Sequence, residues 1–398
     1  MTNKATQEFI NQHIKNNVKE LAFKKHSSDI DLQYALTQIS AFQIISKKVP
    51  SWQVFSNLIF PKHLSLEQAS SEYTAKLKAE IIEERLDINN FKMVDLTGGL
   101  GIDCYFMSRN ASETHYVELN SDLTTIAKNN FNVLNRDINI HNVSSEEFLS
   151  NNNSHFHLIY IDPARRAESG KKLVSISDCS PNIIEIEDLL WKTTDMVMVK
   201  LSPMLDISLA IKELNHISEL FVISHNNECK ELIFILRKVY KDAPKISAIN
   251  INSKGEYSQI VSATRDEENS CIPIIAQEIK EYLYEPYASV LKAGLYKTVS
   301  TTYNIEKLHV SSHLYTSSTL LPEFPGRKFK ITKTVIFNNS NIKSISKEIP
   351  KANITTRNFP LSVDELRKKT KIKDGGNIYI FATTISTDKI LIICESYA

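Results

Sequence analysis

The stretch VDLTGGLGID, residues 94–103, decides how the rest of the chain is read. An apolar run ends in an acid, Asp95, and Gly98, Gly99 and Gly101 follow closely. The chain of 398 residues holds nine glycines, so a third of them sit in this one turn. Glycine is needed where the backbone turns left-handed or where another group comes into contact with it. The pattern predicts a buried strand, a tight loop that holds a ligand, and a helix whose first amides point at that ligand.

On either side, short apolar runs at 93–96, 115–119, 138–141, 157–161, 196–201 and 220–224 alternate with helical stretches. This alternation predicts an α/β, Rossmann-like domain over residues 89–265, a parallel sheet with helices on both faces. Residues 245–265, KISAININSKGEYSQIVSATR, predict an antiparallel hairpin turning at Lys254 and Gly255. Plain dinucleotide-binding folds usually lack such a pair.

Residues 1–88 read as an N-terminal helical domain. Phe9, Ile10, Ile14, Val18 and Leu21 recur at helical spacing, as do Leu32, Leu36, Ile39, Phe42 and Ile45 before the stop at Pro50. A third helix is expected from a Ser65 cap to Leu86. Residues 266–323 and 324–398 read as two small α+β units. The last has strand-like 328–333 and 334–337, a helix over 363–369, and a final strand pair in GGNIYIFATTI and KILIIC.

Composition bounds the possibilities. The chain is 42% hydrophobic and its longest apolar runs are strand-sized, too short to cross a bilayer. The start has no apolar core of signal-peptide type. Five separated cysteines form no CxxC pair, so neither a disulfide framework nor a zinc knuckle is indicated and a cytoplasmic location is expected. His155 and His157 alternate on one strand without an acid or cysteine partner at ligand spacing, and no metal is expected. Net charge is +1, but from residue 325 onward fourteen Lys and Arg face six Asp and Glu. A basic last domain points to nucleic acid. Its plainer reading is a solvated lysine-rich surface.

Two nucleoside ligands compete for the glycine loop. A dinucleotide wants a third small residue where Cys104 stands, and its pyrophosphate would be repelled by Asp95. S-adenosyl-L-methionine brings an amino group and a sulfonium instead of a phosphate. The candidate cofactor contacts are Asp95, Thr97, Gly98, Gly99 and Gly101, then Glu118 and Leu119 at the end of the second strand, where an acid accepts from ribose hydroxyls. Ser144 and Ser145, at the turn after the third strand, are the candidates for the adenine end.

The strand HLIYID runs into DPARR, residues 162–166. Pro163 restricts Asp162 and leaves its carboxylate and nearby carbonyls as rigid acceptors for an N–H nucleophile. Asp162, Pro163 and Arg165 are the catalytic candidates, and Asp162 also borders the cofactor. Arg165 and Arg166 can stack on a base or clamp a phosphate.

In VDLTGGLGID, VELN and IDPARR, taken in order, the chain resembles the class I S-adenosylmethionine-dependent methyltransferases over residues 90–265. Methyltransferases often carry an Asp at the turn where Ser144 stands. The nucleic-acid amino-methyltransferases carry an aromatic residue after Asp-Pro-Pro, which stacks on an extruded base. Here Ala164 and Arg165 stand there, and the ring is missing. EQASSEYTAKLKAEI, DPARR, VKLSPMLDI, EPYASVLKAG, FPGRKFKI and TRNFPL with KKTKIKDGGNIYIFAT resemble a narrower bacterial methyltransferase family. Its members carry a ferredoxin-like unit and a THUMP-like domain after the catalytic sheet, which implies an RNA substrate.

Lys200 and Ser202 in VKLSPMLDI are expected at the same rim as Asp162, with Asp206 as a plain helix cap in the alternative reading. Ser71, Glu72 and Thr74 are candidates for a lid over the cofactor, with capping by Ser70 or Ser71 as the alternative. Arg357, Arg367, Lys368 and Lys369, with Lys351, are the expected RNA contacts. The resulting expectation is methylation of a base nitrogen in rRNA or tRNA. The alternatives are a methyltransferase acting on protein or a small molecule, and a non-catalytic RNA-binding protein. A nicotinamide dehydrogenase is disfavoured by Cys104 and Asp95.

Overall fold

The apolar series from Phe9 to Leu21 folds as two helices, α1 (Lys4–His13) and α2 (Val18–Ala22), where its spacing suggested one. Asn17 divides them, because its side chain accepts the amides of Lys19 and Glu20 and caps α2. The computed structural model describes residues 2–55, 57–61, 66, 69–86, 90–165 and 175–397, with the side chains of 165, 259 and 260 left out. Helix α3 (Leu32–Lys48) starts from an Asp31 cap and stops before Pro50. Helix α4 (Glu72–Leu86) begins with Ser71 Oγ accepting from Thr74 N; Ser65, its expected cap, lies outside the described residues.

The chain forms two compact units, Met1–Ser218 with Ile233–Asp242, and Glu219–Leu232 with Ala243–Ala398. The first unit continues through β1 (Phe91–Asp95), α5 (Ile102–Met107), β2 (Ala111–Val117), α6 (Ser121–Val133), β3 (Asn139–His141), α7 (Ser145–Asn151) and β4 (Leu158–Ile161). Two short strands follow, β5 (Ala164–Arg165) and β6 (Cys179–Ser180), then α8 (Glu187–Thr193), β7 (Met196–Leu201) and α9 (Ile207–Glu213). The order β7-β4-β1-β2-β3 is parallel throughout. Its central strands are covered on both faces, so Met93, Val94, Leu158–Ile161 and Met196–Val199 are all buried. Strands β8 (Ile217–His225) and β9 (Glu228–Arg237) are divided between the units.

In the second unit β10 (Lys245–Ile251) runs parallel to β8 and antiparallel to β11 (Tyr257–Ala263), which is the expected hairpin. Then come α10 (Arg265–Ser270), β12 (Tyr282–Pro286), α11 (Ala288–Ala293), α12 (Tyr296–Thr302), β13 (Glu306–Lys307) and β14 (Tyr315–Ser317). They lead to β15 (Gly326–Ile336), α13 (Asn339–Glu348), β16 (Asn353–Thr356), α14 (Val363–Thr370), β17 (Ile378–Ile385) and β18 (Asp388–Tyr397). One sheet of order β13-β14-β12-β15-β18-β17-β16 takes strands from both stretches that read as small α+β units. β15 is a single strand where the sequence suggested two. Its pairing to β18 shifts between Ile331 and Lys333, and a bulge there reverses the phase of the side-chain alternation. Leu391 and Ile393 of β18 pack with Ile345 and Leu366 of the helices, while Ile390, Ile392 and Cys394 pack with Leu283, Leu308 and Phe329. Among the described residues no helix is long and apolar enough to cross a membrane.

Candidate active site

The glycines of the loop after β1 have separate reasons. A Cβ on Gly98 would lie 2.1 Å from the Tyr116 ring, and Tyr116 OH donates to Gly99 O at 2.6 Å. Gly101 caps the six-residue α5 with φ +75°, and a Cβ there would lie 2.5 Å from the Phe131 ring. Both are demanded by packing. Gly99 has φ +53°, and a Cβ on it would meet only Thr97 O, at 3.8 Å. Of the loop's glycines, it alone leaves backbone open on the side where a side chain would stand.

Acids surround this backbone. Asp95, at the end of β1, is 1% exposed, and its Oδ1 accepts from Thr97 N at 3.0 Å. Burial pushes the Asp95 carboxyl well above the usual carboxylate range; the Thr97 amide pulls it back, and the charges of Asp103, Asp162 and Glu118 push it further up. Glu118 follows β2, and its Oε2 accepts from Gly99 N at 2.9 Å while Oε1 accepts from Asn120 N at 2.8 Å. Leu119 beside it is 71% exposed. Ser144 caps α7 by accepting from Glu147 N, and buried Ser145 donates to Leu96 O at 2.8 Å. The two serines thus set the height of α7 against the glycine loop.

The register of β4 on β7 places Ile161 opposite Val199, so the next residues, Asp162 and Lys200, emerge together at the rim. Lys200 Nζ donates to Asp162 Oδ2 at 2.5 Å, and Asp162 N donates to Thr97 Oγ1 at 2.6 Å. Thr97 therefore joins the glycine loop to the Asp-Pro turn. Pro163 is buried. Arg166 and the side chain of Arg165 lie outside what is described.

Behind this pair is a network that sequence reasoning missed. Lys200 Nζ also donates to Ser70 Oγ at 3.0 Å, and Ser70 Oγ donates to Asp103 Oδ2 at 2.7 Å. Tyr160 OH reaches the same oxygen at 2.7 Å, and Lys78, wholly buried, lies 3.2 Å from Asp103 Oδ1. Burial opposes ionisation of Asp103, but Lys78 and Lys200, with the Ser70 and Tyr160 hydroxyls, hold its carboxyl down at about 2. A signal was present: Lys78 shares the stripe of Ala75, Ile81 and Ile82 on α4, and a charge on a buried stripe needs a partner.

The remaining candidates fall as follows. Ser202 accepts from Met204 N at 3.3 Å, and Asp206 caps α9. Glu72 is 5% exposed and holds Ser51 N at 2.8 Å and Lys76, and Thr74 is buried. In the second unit Arg357 pairs with Glu285 at 2.8 Å. Arg367 donates to Ile372 O and Ala352 O and pairs with Asp374, tying off the end of α14. Lys368 is exposed, and Lys369 Nζ lies 5.1 Å from the Phe337 ring centre. Asp95, Thr97, Glu118, Asp162 and Lys200 come together in the first unit; Arg357, Arg367, Lys368 and Lys369 belong to the second. No group of three or more His, Cys, Asp and Glu suited to a metal occurs among the described residues.

A parallel sheet with an open glycine turn after one central strand and Asp-Pro after its neighbour defines a class I methyltransferase fold. Family models match residues 77–199 (conserved hypothetical protein 95), 282–325 (ferredoxin-like domain) and 326–396 (THUMP domain-like). A solved structure from Porphyromonas gingivalis W83, provisionally assigned as a methyltransferase, is 32% identical, with 99% of this chain and 98% of that one covered at a TM-score of 0.85. The chain belongs to that family of class I methyltransferases with ferredoxin-like and THUMP-like domains. A Listeria monocytogenes structure, provisionally assigned as a class I S-adenosylmethionine-dependent methyltransferase, is 11% identical over 62% of this chain and 93% of that one, at a TM-score of 0.40. A Streptococcus mutans structure with the same provisional assignment as a methyltransferase, in complex with SAH, is 11% identical over 41% and 96%, at 0.31. No curated protein matches the chain.

Proposed function

We propose that this protein transfers the methyl group of S-adenosyl-L-methionine to a base nitrogen of rRNA or tRNA. The observation that carries the reading is Asp162, held at the sheet rim with Lys200 on one oxygen and Thr97 of the glycine loop on its amide. The residues fit the cofactor. The open backbone of Gly99 leaves room for close approach. Asp103, Glu118 and Asp162 outnumber Lys78 and Lys200, and a cation beside buried Asp95 would favour its ionised form, so the site favours a cationic ligand. Exposed Leu119 offers an apolar surface to a nucleobase.

When bound, S-adenosyl-L-methionine supplies an electrophilic methyl carbon on a sulfonium. Glu118 keeps lone pairs on both oxygens for ribose hydroxyls, beyond those given to Gly99 N and Asn120 N. Asp95 orients the amino end. Lys200 occupies Asp162 Oδ2 and leaves Oδ1 to accept the N–H of the incoming base. Asp162 Oδ1, left open by Lys200, would take the proton that the nitrogen gives up. Holding nucleophile and methyl in line is the larger part of the task. The RNA assignment draws on the THUMP-like match over residues 326–396 and the basic excess from residue 325 onward.

Calorimetry tests the cofactor reading. The parent binds S-adenosyl-L-methionine, and Asp95→Ala and Glu118→Ala lose about 10-fold or more in affinity. Absence of binding by the parent would refute it. Label from the methyl group then separates an RNA acceptor from a protein or small-molecule one.

A further inference from the structure

The second unit holds an arrangement that the methyl-transfer site does not use. Glu285 on β12 is 3% exposed, yet two arginines converge on it. Arg327 stands opposite Glu285 in the pairing of β12 with β15, and its Nε donates to Oε2 at 3.0 Å. Arg357, just after β16, donates to the other oxygen, Oε1, from Nη2 at 2.8 Å and from Nε at 3.2 Å. Each arginine side chain remains 36% exposed.

The backbone holds both arginines in place. A Cβ on Gly326 would lie 2.1 Å from Glu285 O, so β15 and β12 approach there as closely as glycine allows. Arg357 N donates to Ala382 O at 2.9 Å, and Asn358 after it takes φ +50°. Arg327 lies 5.4 Å from the Phe329 ring centre and 5.8 Å from that of Tyr379, which fixes its plane.

One carboxylate balances one guanidinium; the second leaves the site net positive. Both arginines spend Nε and Nη2 on Glu285, which leaves Nη1 of each as a donor with no role in the pair. Two oriented, partly exposed guanidiniums with N–H groups to spare suit the tetrahedral oxygens of a phosphate. A further group lies within reach of the Arg357 charge. The His313 Nδ1 is buried with no hydrogen-bond partner among the described residues, and its backbone takes φ +54°. Burial, then the charges of Lys307 and Arg357, hold His313 down at about 4.

We propose that Arg327 and Arg357, oriented by Glu285, form a binding site for a phosphodiester of RNA. Glu285 comes from the segment that matches the ferredoxin-like domain, and both arginines from the THUMP-like one, so the site exists only where the two segments are folded together. Loose exposed lysines give charge without geometry; here the direction of the donors is set before the ligand arrives. The proposal rests on the reading of RNA as substrate but not on the identity of the methylated atom.

The test is equilibrium binding of a mixed-sequence RNA of about 20 nucleotides to the full-length chain across a salt series. Arg357→Gln leaves Glu285 paired with Arg327, and thermal unfolding checks that it folds like the parent. Affinity should fall about 5- to 10-fold, and the slope of log affinity against log salt should drop by about one. Arg357→Lys keeps a charge for Glu285 and loses the planar fork, and should still weaken binding about 3-fold. Unchanged affinity and slope in both variants would overturn the site while leaving the RNA reading standing. No RNA binding by the parent would overturn both. Inorganic phosphate competing at concentrations close to those of the RNA would also overturn it, by showing a site for a free anion. Calorimetry with S-adenosyl-L-methionine on the same preparations tests the cofactor reading separately.

Discussion

Lys200 Nζ sits 2.5 Å from Asp162 Oδ2, on the residues that directly follow the paired Val199 and Ile161. The ammonium takes one carboxylate oxygen, and on the proposed reading the other is left for substrate. Lys200→Met should therefore keep S-adenosyl-L-methionine affinity within about 3-fold and slow methyl transfer about 100-fold, because a mobile carboxylate no longer aims the nitrogen. Lys200→Arg should recover part of the rate. Single-turnover assays with RNA from cells lacking the gene would measure both.

Asp103 is the counter-ion of a wholly buried lysine, Lys78. Asp103→Asn removes the charge that balances that ammonium and should cost about 3–5 kcal/mol of stability in denaturant unfolding. The pH dependence follows from the lowered carboxyl. Its folded value of about 2 lies below the ordinary 3.8. The contribution is complete above about pH 4 and is lost as pH falls toward about 2. The Asn variant should lack that step in its acid-unfolding curve.

Asp95 behaves in the opposite sense. Burial, with three neighbouring carboxylates adding to it, raises its carboxyl, so its ionised form works against the fold at neutral pH. Asp95→Asn keeps the acceptor for Thr97 N and should raise the melting temperature at pH 7 while weakening S-adenosyl-L-methionine about 10-fold or more. Differential scanning calorimetry and titration calorimetry on one preparation would show the trade.

The glycines should separate by experiment as they do by geometry. Gly98→Ala drives a methyl group into the Tyr116 ring and should destabilise the fold by about 2 kcal/mol or more. Gly99→Ala meets open space and suffers only its left-handed backbone, about 1 kcal/mol, yet should lose cofactor affinity more than in proportion. Thermal unfolding beside calorimetric titration distinguishes the two.

The sequence made the class of the sheet plain, because β1, β4 and β7 are short apolar runs ended by chemistry-bearing residues, Asp95, Asp162 and Lys200. It also gave the hairpin of β10 and β11, through Lys254 and Gly255. It obscured other elements for physical reasons. Asn17 divides a helical series by capping, which apolar spacing does not register. The bulge in β15 reverses the alternation by which a strand is recognised. At the site, Asp95, Glu118 and Asp162 were legible as acids at strand ends. Asp103, Tyr160 and Lys78 were not, since their meeting depends on packing between α4, α5 and β4. Gly98 and Gly101 are expected from the sequence as ligand contacts, and the fold gives each a packing reason as well, because a side chain there would meet the Tyr116 or the Phe131 ring.

The most direct measurement is mass spectrometry of nucleosides from RNA of cells lacking the gene, after incubation with the purified protein and methyl-labelled S-adenosyl-L-methionine. One base-methylated nucleoside should gain label with the parent and none with Asp162→Ala. Label that appears only in protein or small molecules, or equally with Asp162→Ala, would contradict the account.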